Sequence, residues 1–374
     1  MNILHICSDY PYTPIYNQLL NQFSNKHGHI MYVPLIQNQA YDSKYDDVGK
    51  NELIYSYDFT GMDRWFYKNK TNKILSSIYK QPFINRCDVV HAHYLFSAGG
   101  VAYRLKVEKD IDYIVAVRNT DLNIFFKYGI HLRSYAMRIL EAASKIVFIS
   151  PTYKDAMLEK YVPEKLKKVF LNKSIIIPNG IDDYWHNNIF QREFDITHNL
   201  ELLFVGELTA NKNIPTIFKA VHLLRAKGMK VNLTLVGDGP NSTKINQLIQ
   251  NDSEFIKRYK WTDSKDELRK HYRNADIFIM PSFNETFGLV YIEALSQGLP
   301  LIYTRNQGID GYFTNGQVGY ACDPTNPKEI CSNIHKIIDN YVAISSRCSR
   351  AIGPFSWESI ARQYESIYES IICK

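Results

Sequence analysis

In the stretch SFNETFGLVYIEALSQG, residues 282–298, two glutamates, Glu285 and Glu293, stand eight positions apart around the pair Phe287-Gly288. A strand is expected to end at Pro281-Ser282, and the apolar run after Phe287-Gly288 has helical periodicity. A helix N-terminus offers free N–H groups and the positive end of the helix dipole, so an anion suits Gly288. Glu285 would then lie just before the helix and Glu293 about six residues inside it, roughly 9 Å along the axis. That separation is comparable with a diphosphate. Carboxylates repel phosphate, so two of them flanking one would address neutral hydroxyls, and a sugar–diphosphate–ribose molecule fits the order. The plainer alternative makes Glu285 a partner of the helix dipole and Glu293 a surface acid. By itself the stretch does not choose.

Three further segments carry residue types suited to phosphate. In 206–213, GELTANKN, Gly206 permits a tight turn and Lys212 can meet phosphate as a mobile point charge. The run Val236-Gly237-Asp238-Gly239-Pro240 is a second glycine-rich strand exit, and Gln307-Gly308-Ile309-Asp310-Gly311 reads as another loop leading into a helix. Each also has a plain reading, as a βα loop with a solvated side chain.

These segments need strands to end where they begin. Short apolar runs alternate with helical patterns throughout, the mark of parallel α/β architecture. Strands are expected at 2–7, 30–35, 89–92, 113–117, 145–149 and 174–177, with a helix at 16–26. The segment 182–199 is polar and reads as an irregular interdomain linker. The pattern restarts with strands at 200–206, 231–237, 256–261, 275–280 and 299–303 and helices over 214–227 and from Ser242. The last helix, 357–371, repeats apolar residues at a 3–4 spacing and could pack on either domain. The boundaries expected are 1–185, with the C-terminal segment 356–374 as a candidate completion, and 190–355. In open α/β sheets ligands sit at the carboxyl ends of strands, which places the chemistry in an interdomain cleft.

The chain has 374 residues, 45% hydrophobic and 22% charged, the composition of a soluble globular protein. No window reaches the ~18 apolar residues of a membrane span. The N-terminus lacks the basic-then-apolar order of a secretion signal, so a cytoplasmic location is expected. Six cysteines are scattered with no CxxC and no histidine clustering, so neither a metal site nor a disulfide framework is expected. The net charge of +6 is uneven: residues 51–181 carry 20 Lys+Arg against 12 Asp+Glu, and the remainder 24 against 26. The basic part, with the aromatic and lysine-rich run 64–80 and the cluster Lys165, Lys167, Lys168, is compatible with an anionic membrane surface on the inner face or with a solvated surface. No nucleic-acid partner is expected.

The chain resembles the retaining glycosyltransferases of family 4, which have the GT-B fold of two facing Rossmann-like domains. The resemblance spans nearly the whole chain. It is carried by Pro178-Asn179-Gly180-Ile181-Asp182, by 206–213, by Gly237-Asp238-Gly239-Pro240, and above all by Glu285 and Glu293 with Phe-Gly between them, followed by Ala294 and Gly298-Leu299-Pro300. It implies that Glu285 binds donor-sugar hydroxyls and that amides near Phe287, Gly288 and Leu289 hold the distal phosphate. Glu293 would take the ribose, Lys212 the diphosphate, and Gly206 would belong to the donor loop. Arg118-Asn119-Thr120-Asp121 matches the family's catalytic run, making Arg118 and Asp121 candidates beside Glu285. His93, in Asp-Val-Val-His-Ala-His, joins Asn179 and Gly237 as a cleft candidate.

The activity implied is metal-independent transfer of a sugar, with retention, from a UDP- or GDP-sugar to a glycan or lipid-linked acceptor in surface polysaccharide or glycoconjugate biosynthesis. A nucleotide-sugar 2-epimerase and a catalytically degenerate partner subunit are the alternatives. Three departures from the family pattern stand out: Glu207 replaces the usual basic residue, Arg118 replaces a frequent histidine, and Ser8–Pro14 replaces a glycine-rich loop. A carboxylate set against phosphate is unfavourable, so Glu207 is expected to turn away and pair with a lysine or with backbone amides.

Overall fold

The computed structural model describes residues 1–38, 45–192 and 199–373, without the side chain of Arg64. The chain divides into two compact units, Met1–Gly180 with Trp357–Lys374, and Ile181–Ser356.

The first unit contains β1 (Asn2–Ile6), β2 (Gly28–Ile36), β3 (Glu52–Phe59), β4 (Val89–Ala92), β5 (Asp112–Val117), β6 (Lys145–Phe148) and β7 (Ser174–Ile176). Every pairing is parallel, in the order β3-β2-β1-β4-β5-β6-β7. Continuous apolar runs such as IVAV in β5 are fully buried, as strands covered on both faces must be. β3 was not expected from the sequence. Its run ELIYSYDF mixes acids with aromatics because it is an edge strand, and most of it is only partly buried. The first helix is shorter than expected, Ile15–Gln22, and Phe23 leaves it in extended backbone.

The second unit contains β8 (Leu200–Val205), β9 (Val231–Val236), β10 (Ile256–Tyr259), β11 (Ile277–Met280), β12 (Leu301–Thr304) and β13 (Gly319–Cys322), in the order β10-β9-β8-β11-β12-β13. Both sheets therefore reverse strand order once, between β1 and β4 and between β8 and β11. Ligand crevices of doubly wound sheets form at such reversals, at the carboxyl ends of the strands. β13 was also missed. It opens on Gly319, where a side chain would strike the Leu301 backbone oxygen at 2.0 Å.

The linker expected over 182–199 is corrected. Asp183–Asn187 is a helix capped by the Asp182 side chain, which accepts from the Tyr184 N–H at 2.9 Å. Trp185 and Arg192 are buried, and Arg192 donates to the carbonyls of Tyr272 and Arg273 at 3.0 and 2.9 Å. The segment is thus built into the second unit, although residues 193–198 lie outside the described residues. Arg192, polar in a stretch that reads as a linker, satisfies those carbonyls from within the unit.

The helix Trp357–Ile372 returns to the first unit. Its apolar stripe, including Trp357, Ile360, Tyr364 and Tyr368, shares a core with β1, β2 and the helix Ile15–Gln22. Gly180 is required there, because a Cβ would meet the Trp357 ring at 2.5 Å. Among the described residues no helix is long and apolar enough to cross a membrane.

Candidate active site

The second unit brings Lys212 and Glu285 together across its reversal point. Lys212 follows β8 and Glu285 follows β11, and Lys212 Nζ lies 2.6 Å from Glu285 Oε2. Both side chains are largely but not wholly buried, at 19% and 12% exposure, so water screens the pair only in part. Two asparagines that the sequence reading passed over hold the loops in place. Asn211 donates its amide to the Asn284 carbonyl at 2.7 Å and accepts from the Asn284 N–H at 3.0 Å. Asn213, left-handed at φ 55°, donates to the carbonyls of Pro281 and Pro324 at 3.1 and 2.6 Å. Asparagine is one of the few residues with a side chain that tolerates that backbone conformation while bonding locally.

The loop 307–311 corrects a second expectation. It opens no helix and instead buttresses Glu285. The Gly308 N–H donates to the Glu285 carbonyl at 2.8 Å, and Gln307 Oε1 accepts from the Glu285 N–H at 3.1 Å. At Gly308, φ +57°, a Cβ would sit 3.0 Å from Glu285 Cγ. Gly308 therefore serves the glutamate directly.

Gly288, at φ +79°, caps the helix Leu289–Ser296, where a Cβ would collide with the Tyr291 ring at 2.6 Å. Among the described residues the N–H groups of Phe287, Gly288 and Leu289 have no acceptor, as expected for a first turn open to an anion. Gly206 and Gly237 meet: a Cβ on Gly237 would lie 2.0 Å from the Gly206 oxygen. Arg258, not singled out in the sequence, donates to the Gly237 carbonyl at 3.1 and 2.9 Å. Gly237 is thus needed for the close approach of two strand exits.

Glu293 is the fifth residue of its helix rather than the sixth. Its Oε2 accepts from Tyr272 OH at 2.9 Å, and desolvation pushes its carboxyl up to about 7, with that hydrogen bond opposing. Asp182 lies near enough to raise it further, and is itself paired with Lys265 at 2.5 Å. Glu207 differs from expectation. It is exposed and its carboxylate has no partner among the described residues, because bulk water already solvates it.

In the first unit, Asp121 is buried and its carboxylate accepts the N–H groups of Arg118, Phe96 and Leu95 at 2.8, 3.0 and 3.1 Å. Burial raises the carboxyl to about 6, and those three amides restrain the rise. Asp121 thereby fixes the exits of β4 and β5. Arg118 donates to Asn179 Oδ1 at 3.4 Å, while its Nε is buried without a partner. His93 is fully buried against His5, at 3.1 Å.

Residues 187–352 match the family model of glycosyl transferases group 1. An uncharacterized glycosyltransferase of Methanocaldococcus jannaschii is 26% identical over 340 residues, 89% of each chain. Over residues 187–352 the chain is similar to the group 1 glycosyltransferases. The chain is also 25% identical over 297 residues to the N-acetyl-alpha-D-glucosaminyl L-malate synthase of Bacillus anthracis, covering 76% of this chain and 75% of that one. Its fold is that of solved GT-B structures. Sucrose-phosphate synthase from Thermosynechococcus elongatus superposes with a TM-score of 0.75 at 18% identity, over 100% of this chain and 99% of that one. Anabaena HepE in complex with UDP gives 0.74 at 15%, over 99% and 100%. The chain therefore has the two Rossmann-like units of that fold, and Lys212, Glu285, Gly288 and Glu293 all fall within the matched family region.

Proposed function

We propose that the chain transfers a sugar from a UDP- or GDP-sugar, with retention of configuration, to a glycan or lipid-linked acceptor. The observation that carries this reading is the Lys212–Glu285 pair beside the open amides of Phe287, Gly288 and Leu289 at a sheet reversal. A cation and helix amides suit the departing diphosphate, a carboxylate suits sugar hydroxyls, and Glu293 suits ribose. HepE, of the same fold, was solved with UDP and with UDP-glucose, which supports a nucleotide sugar as donor. No side chain is assigned as nucleophile. In the proposed front-face route the leaving phosphate takes the acceptor proton, with Arg118 and Asp121 ordering the acceptor side.

The test is incubation and melting with UDP-, GDP-, ADP- and CDP-sugars. The expected outcome is a Tm rise with one base class, since binding stabilises by mass action, together with nucleotide release when an acceptor is present. An epimerised free sugar nucleotide would establish the epimerase instead, and binding without turnover would establish a partner subunit.

A peripheral membrane role forms part of the proposal. Met62, Trp65 and Phe66 are 73%, 87% and 63% exposed, and Tyr128 and Ile130 are 69% and 64% exposed. Trp65 and Phe66 line a groove that also holds Lys68, His131 and Arg138. Lys73 does not contribute, because it is paired with Asp63 at 2.7 Å. Aromatic side chains ringed by cations suit an anionic leaflet, where each basic residue contributes about 1 kcal/mol. Co-sedimentation with anionic but not neutral vesicles is expected, and equal recovery with both would remove this part.

A further inference from the structure

His5 on β1, His29 on β2, His91 on β4 and His93 just beyond it are all buried. The sequence scatters them, and parallel register gathers them: His5 stands opposite His91, and the rings of His91 and His93 stack 3.9 Å apart. His5 Nδ1 lies 3.1 Å from His93 Nε2, and His5 Nε2 lies 3.0 Å from His29 Nδ1. His91 Nδ1 lies 2.7 Å from Tyr368 OH. Three ring nitrogens of these four histidines are buried without partners among the described residues: His29 Nε2, His91 Nε2 and His93 Nδ1. Buried polar atoms ordinarily find partners, and an ion on the His91 Nε2 would supply one to that orphan.

We infer that His5, His91 and His93 form a buried site for a divalent first-row transition ion such as Zn²⁺. One ligand atom of each lies within 4.8 Å of those of the other two. Tetrahedral zinc with Zn–N bonds of about 2.0–2.1 Å places its ligand atoms roughly 3.3 Å apart. The 3.1 Å between His5 Nδ1 and His93 Nε2 is already close to such an edge. An ion there replaces their hydrogen bond once both lone pairs turn off the N–N line. The His91 ring, stacked on His93 at 23° between planes, rotates out of that stack to complete the set through its orphan Nε2.

Two of the three rings match metal-bound imidazoles, whose second nitrogen is held by a further group, while His93 Nδ1 has none among the described residues. His29 holds His5, and Tyr368 holds His91. Burial keeps all three ligand rings neutral, the form that carries a lone pair for metal. An all-imidazole set favours zinc, copper, nickel or cobalt over magnesium and calcium, which require oxygen. Two features oppose tight binding: the positive charge of Arg118 acts on His91 and His93, and no carboxylate belongs to the set. The ion is therefore expected to leave on chelation and return on titration. Bound, it would tie β1 to β4 and, through Tyr368, to the C-terminal helix.

The test uses the full chain after chelation. Zn²⁺ titration is followed by melting, and Co²⁺ titration by visible absorption. A Tm rise that saturates at a single equivalent and the ligand-field bands of four-coordinate cobalt, with water as the fourth ligand, are expected, with no response to Mg²⁺. His93→Gln should lose both responses, while His222→Gln, which alters an exposed histidine beside Asp252, should keep them. X-ray absorption on the cobalt-loaded natural chain counts imidazole ligands without any variant. The site is overturned if the natural chain shows neither response, if His93→Gln retains them, or if fewer than three imidazoles are counted.

Discussion

Glu285→Gln is expected to lower kcat by on the order of 100-fold or more, while nucleoside-diphosphate binding changes far less. The side chain is placed by its own backbone: the Glu285 N–H and C=O are both engaged by the loop 307–311, and its carboxylate is held by Lys212. A group fixed in this way can meet charge as it develops on the sugar without first reorganising. Glutamine keeps the shape and removes the charge, so binding of a nucleotide lacking the sugar should survive. Near-normal turnover in this variant would sink the assignment. Glu293→Gln should behave differently, raising KM for the donor with kcat little changed, because ribose contacts are equally good in the ground and transition states. Its carboxyl lies near 7. Above that value it is ionised and a better acceptor, so the donor KM should fall as pH rises through 7, and Glu293→Gln should remove that inflection.

The alternation of apolar runs and helical patterns was legible as two parallel α/β units, because strands buried on both faces are nearly uninterrupted in Val, Ile and Leu. What escaped was written in partners distant in sequence. The edge strand β3 keeps one face wet and loses the apolar run. Residues 182–192 look like a linker until Arg192 is seen donating to Tyr272 and Arg273 carbonyls some eighty positions away. Gln307-Gly308 resembles a loop before a helix, and only its contact with Glu285 explains the glycine. The histidine cluster was invisible for the same reason: no spacing rule links His5 to His91, which the register of β1 on β4 makes neighbours. The acids Glu285 and Glu293, by contrast, were read from a single local run, since one strand end and one helix position both of them.

Lys212→Ala should weaken nucleoside-diphosphate binding about 10- to 150-fold, the equivalent of losing a charge-assisted contact of roughly 1.5–3 kcal/mol. The ion pair adds a second reason. In the absence of nucleotide Lys212 neutralises Glu285 at 2.6 Å, and a bound diphosphate can share the ammonium, whose three N–H donors serve several oxygens. Removing the lysine leaves the Glu285 carboxylate beside the phosphates as an unpaired anion of the same sign. The double variant Lys212→Ala/Glu285→Gln should therefore bind nucleoside diphosphate better than Lys212→Ala alone. The single loss should also shrink as salt rises, because screening weakens both terms. Glu207→Ala should change binding little, since that carboxylate is exposed and unpartnered among the described residues. If Glu207→Ala abolishes binding while Lys212→Ala is silent, the phosphates lie on the other side of the 206–213 loop and the donor site must be rebuilt around Glu207.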